Sequence, residues 1–180
     1  MRFKRLTYLR IAIPLAFVEG LGPIEPGPLV TTRFALKAAT DDVHRELDDR
    51  LSVLDLATDA DYRRFLGFHA RTVPAIEGAL AAAGLAQLVD GWDAGRRSEA
   101  LESDLSALGQ PMPAPATAPP IATHAEALGA AYVLEGSRLG GRVLRGRVAK
   151  GLPARFLGDG AHNPWPHVIA ALDRHLHSEA

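Results

Sequence analysis

Cysteine is absent from the 180 residues, which excludes disulfides, thiolate ligation and Cys-based structural zinc. That absence agrees with a reducing cytoplasm, the compartment expected for this chain. Aromatic residues make up only 6%, and no run of alternating β-branched residues is long enough to suggest a sheet. Nor is there a charge excess: 20 Lys and Arg stand against 21 Asp and Glu, so there is no nucleic-acid footprint. No apolar stretch is long enough to span a membrane, since Arg10 and Pro14 interrupt the run around Ile11 to Val18. Lys4 and Arg5 before that run give it the outline of a signal peptide, but no small-residue cleavage site follows. Residues 1–30 read instead as a disordered extension or the product of an upstream start codon. What remains is rich in alanine and leucine, and 47% hydrophobic residues suffice for one all-α domain over residues 31–180.

Hydrophobic spacing predicts helices over residues 33–53, 59–82, 97–108, 121–149 and 164–177. Thr58 can cap the second, and Pro74 inside it should kink or divide it. His69 lies on its apolar side as a packed, hydrogen-bonded core residue. Gln110 to Pro120 holds five prolines and no charge, the composition of an extended connector. Gly151-Leu-Pro should stop the long fourth helix, and Trp165 opens the last one.

Two segments carry chemistry. Ala131 to Arg145 has a strong helical pattern broken by Gly136, Gly140 and Gly141, which together give up roughly 1.5 to 3 kcal/mol of helix stability. On a wheel of about 100° per residue, Gly140 lies about 40° and Gly141 about 140° from Gly136, with Ser137 between them, so the small residues share one broad face. A flat ligand pressed on the backbone would explain that face; close helix packing or a kink at the Gly-Gly pair is the alternative. Arg138, Arg142 and Arg145 fall on another face, as a solvated stripe, an anion clamp or a docking site for an acidic electron donor. In Arg33 to Leu51, Leu36, Val43, Leu47, Leu51 and Leu54 form an apolar arc, with His44 on its flank beside Thr40. Such an imidazole suits an axial metal ligand or a buried boundary residue.

Together these segments resemble the haem oxygenase family, and within it the bacterial enzymes that accompany phytochromes. Leu36-Lys-Ala-Ala-Thr-Asp-Asp-Val-His44 is similar to the family's proximal-helix motif. The resemblance makes His44 the iron ligand and Lys37 a partner of the haem propionates. The helix with Gly136, Ser137, Gly140 and Gly141 resembles the distal helix, whose glycines let the porphyrin approach the backbone, with Arg142 a second propionate candidate. Trp92 to Gly109, with Arg96, Leu101, Asp104, Leu105 and Leu108, resembles a connecting signature of the bacterial branch. The implied activity is cleavage of haem, at once substrate and cofactor, to biliverdin, CO and ferrous iron using O2. Electrons would come from a ferredoxin, a flavodoxin-like protein or a reductase, and a phytochrome would use the product.

The chain also departs from the animal-type pattern. Ser137 stands where those enzymes carry an acidic residue that organises water, and Asp41 replaces a second lysine. Glu135 is adjacent to the distal face. The family's last C-terminal helix is expected to be missing after His177, where His175 and His177 carry no assigned role. A non-catalytic haem carrier or sensor with the same fold is therefore the alternative, and a helical interaction protein without haem is the third reading.

Overall fold

The computed structural model describes residues 28–158 and 163–175; the side chains of residues 28–35 and 37 lie outside that description. The expectation for the extension therefore falls outside the described residues up to residue 27, as does that for His177. Among the described residues the fold is all-α, with no strand. The chain divides into a compact unit, Asp55–Leu176, and a second unit that contains the first helix.

That first helix, α1, runs Pro28–Leu51, five residues earlier than the spacing predicts and into the segment expected to be disordered. Proline is pre-set for the first position of a helix, where its missing N–H has no intrahelical partner to lose. On its surface the side chains of Arg50 and Glu46 pair at 2.6 Å across one turn, and Arg45 pairs with Asp42. Ion pairs this exposed contribute little.

The larger unit begins with α2, Asp59–Ala82, capped as expected by Thr58, whose hydroxyl accepts from the Asp61 N–H. Pro74 does not divide it: the helix continues across the proline. The ring removes the N–H that would serve Ala70, and the packed residues around it, Ala70, Val73 and Glu77, hold the helix through that loss. Next comes α3, Ser98–Ala107. Its first backbone N–H groups are met from another element: the Glu77 carboxylate on α2 accepts from Arg97 N at 2.6 Å and Ser98 N at 3.3 Å. A carboxylate at a helix N-terminus satisfies orphan donors and complements the dipole.

The proline-rich connector follows without regular structure, as expected, and is tied to α2 by Ala116 N donating to Arg71 O at 2.7 Å. Then α4 runs His124–Arg145. Its start is fixed by a capping box in which Thr123 accepts from Glu126 N and the Glu126 carboxylate accepts from Thr123 N. Donation from Ala122 N at 2.8 Å and from Thr123 N at 3.0 Å holds the Glu126 carboxyl below the usual carboxylate range. Its end comes before the predicted Gly151, because the backbone tightens into short turns in which Arg147 N reaches Leu144 O and Val148 N reaches Arg145 O. The last element, α5, is Trp165–His175.

In this unit α2 packs on α3 and α4, and α4 packs on α5. Tyr62, Leu66 and Leu80 of α2, Leu101 and Leu105 of α3, Leu128 of α4 and Leu172 of α5 are all buried. Asp104 is also fully buried, and it organises the loop that follows α4: its carboxylate accepts from Arg155 N at 3.0 Å and Phe156 N at 2.9 Å. That grip delivers Phe156 and Leu157 into the core.

Candidate functional site

The α4 helix places Gly136, Ser137, Gly140, Gly141 and Arg142 within two turns. Gly140 and Gly141 are buried, while Ser137 and Arg142 are exposed. A Cβ on Gly136 would come no closer than 3.6 Å to the Trp165 ring, and one on Gly141 no closer than 3.4 Å to Leu157 Cδ2. Both are ordinary contact distances. The packing inside this unit therefore leaves room for alanine at each position, and close helix packing does not account for these two glycines. Trp165 itself packs on Tyr132 in a tilted arrangement, with ring centres 5.3 Å apart.

Beneath this face lies a buried ionic cluster that a wheel of one helix does not reveal. Arg138 is not part of a solvated stripe; it is 6% exposed, and its guanidinium donates to Glu135 at 2.8 Å and to the Gly95 carbonyl. The physical reason is the three-residue spacing, which puts Glu135 and Arg138 on neighbouring turns, with an unpaired carbonyl from the Asp93–Gly95 turn within reach. Arg142 and Arg145 stay exposed. The second cation is Arg97, 5% exposed, whose Nη2 donates to Leu134 O and to Ser137 Oγ, each at 2.9 Å. Its guanidinium also lies 5.1 Å from the Phe156 ring centre. Burial pulls Arg97 down to about 10, with Glu135 opposing, so it stays cationic at neutral pH.

The connecting signature singles out Arg96. The structure buries its neighbour Arg97 and leaves Arg96 exposed, its Nε 3.7 Å from Glu77. Nothing in local spacing separates two adjacent arginines. The difference arises from Glu77, twenty residues earlier, which captures the Arg97 backbone and turns its side chain inward. Glu77 also accepts from the Ser98 hydroxyl.

His69 behaves as expected. Its Nδ1 is 2.9 Å from Phe65 O, and the ring packs among Phe65, Phe68 and Phe156. Burial pushes it down to about 4, partly opposed by the Phe65 carbonyl bond, with nearby Arg97 pushing it further down. It is a neutral core imidazole.

On α1, His44 is half-buried, with Leu36, Thr40, Asp48 and Leu51 half-buried along the same side. Thr40 donates back to Leu36 O at 2.9 Å. Asp48 lies one turn from His44, and burial raises its carboxyl above the ordinary value while His44 opposes the shift. A carboxylate beside a histidine can hold one ring N–H and so fix the other nitrogen for a metal. The four-residue spacing was present in the sequence, and would have identified Asp48 had the helix been read for a partner to His44. Lys37 lies on α1 two turns before His44; its side chain is outside the described residues. Val43 is 69% exposed, so the apolar arc of α1 is not buried throughout its length.

The comparison with known proteins decides the family. The chain is 36% identical over 130 residues to the heme oxygenase of Xanthomonas campestris pv. campestris (strain 8004), an alignment covering 68% of this chain and 78% of that protein. This chain belongs to the haem oxygenase family. No family model matches it, and no solved structure matches it. As a haem oxygenase family member it carries its candidate residues in two sets. Gly136, Ser137, Gly140, Gly141 and Arg142 share α4 in the Asp55–Leu176 unit, and His44 and Lys37 share α1 in the other. No described helix is long and apolar enough to cross a membrane.

Proposed function

We propose that this chain is a haem oxygenase that opens haem to biliverdin, CO and ferrous iron, with residues 31–180 acting as one haem-binding domain in the cytoplasm. The observation that carries the reading is the glycine face of α4: Gly136 and Gly141 are not demanded by the contacts their own unit makes, yet they cost the helix stability. A planar ligand lying on the backbone supplies the missing reason. The donor chemistry fits haem as well, with a half-buried imidazole on α1, a carboxylate one turn away, and no cysteine in the chain to compete as ligand.

Haem when bound supplies both an iron that takes electrons and O2 and the porphyrin ring that is consumed. The protein's part is to hold and orient it. His44 would hold the iron through one ring nitrogen, and Asp48, one turn away, would retain the proton on the other. Lys37 and Arg142 pair with the propionate carboxylates. Gly136, Gly140 and Gly141 let the ring meet the α4 backbone, keeping bulky acid–base side chains away from the reacting edge. Ser137 holds water there through its hydroxyl oxygen. Electrons come from a ferredoxin, a flavodoxin-like protein or a reductase, and a phytochrome is the consumer of biliverdin.

The test is the product. Purified protein is mixed with stoichiometric haem, then with ascorbate or a ferredoxin and its reductase in air, with catalase present. The reading expects the Soret band to fall and biliverdin to be extracted. A stable haem spectrum without pigment would mean a carrier or sensor, and no haem uptake would mean a helical interaction protein without haem.

A further inference from the structure

We propose that Arg97 is the positioning residue for Ser137, fixing its hydroxyl as a hydrogen-bond acceptor at the α4 face; this rests on reading that face as the one haem occupies. A serine hydroxyl has one proton and two lone pairs. The proton is committed, because Ser137 Oγ donates to Leu134 O at 2.6 Å. One lone pair is committed too, because Arg97 Nη2 donates to it at 2.9 Å while also donating to Leu134 O. The remaining lone pair belongs to an exposed residue. Water bound there must give a proton to Oγ and cannot receive one from it.

Arg97 is built to hold this geometry. Its backbone N–H is fixed on Glu77 at 2.6 Å, its guanidinium lies over Phe156, and its side chain is almost wholly buried. The charges facing it come from every neighbouring element: Glu77 of α2, Arg96 beside it, and Glu135 and Arg138 of α4. Where animal-type enzymes have an anion, this chain presents an oxygen backed by a cation. Any proton delivered at this face would then come through water and not from Ser137 itself.

The experiment is a double-mutant cycle of Arg97→Lys and Ser137→Ala, read twice. The first reading is urea unfolding without haem. The second is the acid–alkaline transition of the ferric haem complex, followed in its visible spectrum. Each single variant should move that transition by about 0.5 to 1 pH unit, the size of one hydrogen bond, and the double variant should move it no further. Coupling in both readings supports the proposal. Coupling in unfolding with additive or absent shifts in the haem complex would make the bond purely structural and overturn it, while leaving the proposed function standing. A wild-type protein that takes up no haem overturns both. Should Arg97→Lys fail to fold, the ¹⁵N signals of the Arg97 guanidinium are compared between wild type and Ser137→Ala without haem. A changed Nη environment supports the bond, and unchanged signals overturn it.

Discussion

The two helices that carry the candidate site are close in length, 24 residues for α1 and 22 for α4, yet they are stabilised by opposite means. Helix α4 has a capping box at its start, a buried ion pair at its middle and core leucines along one side. Helix α1 has exposed ion pairs on its surface, and Val43 and Leu47 of its apolar arc lie open. The contrast explains how glycines are tolerated where they are. A helix anchored at its cap and gripped through Glu135, Arg138 and Leu134 can lose roughly 2 to 4 kcal/mol to its four glycines, Gly129 included, and remain a helix. Among its described side chains α1 shows no buried ion pair, and its sequence between Arg33 and Leu51 contains no glycine.

If the buried pair is what anchors α4, removing it should have the largest effect on the folded protein. Glu135→Leu leaves the Arg138 guanidinium buried with only the Gly95 carbonyl, and should cost about 3 to 5 kcal/mol in urea unfolding. Glu46→Ala on α1, which breaks a pair of exposed side chains, should cost less than about 0.5 kcal/mol. Equal effects would erase the contrast.

Acid should act on the larger unit through His69. Its pKa in the folded chain, about 4, lies below the ordinary 6.5, so the unfolded chain takes the proton first as pH falls. Stability from this group is fully present above pH 6.5 and is lost progressively toward pH 4, by about 3 kcal/mol in all. Urea titrations across that window should show the loss in wild type and a flatter profile in His69→Gln.

A smaller effect than that of His69 is more specific. Gly136→Ala places a methyl 3.6 Å from the Trp165 ring, ordinary contact, and adds helix propensity. Without haem it should stabilise the protein by about 0.5 to 1 kcal/mol. The same variant should bind haem more weakly, seen in a Soret titration. Stabilisation without a loss of haem affinity would separate the glycine from the ligand.

Much of this was legible along the chain and some could not be. The bounds of α2 follow from Thr58 and the apolar stripe, and match residue for residue. Asp104 was picked out by the connecting signature, though its hold on Arg155 and Phe156 joins segments some fifty residues apart. Helix α4 was expected from 121, but the capping box starts it at His124. The burial of Arg138 and Arg97 escaped the wheel, because a wheel knows one helix only. What turns those two cations inward is a carboxylate on α2, a carbonyl at Gly95 and an aromatic ring at Phe156. Pro74 was read by its local cost, which the packing around it overrides.

If His44 is the group that holds iron, free imidazole should rescue the His44→Ala variant. The purified variant is given haem and an electron source, with and without free imidazole, and the visible spectrum and extracted pigment are followed. The account predicts altered ligation and almost no biliverdin in the variant, with both recovering on addition of imidazole. A variant whose spectrum and turnover match wild type without imidazole would contradict it.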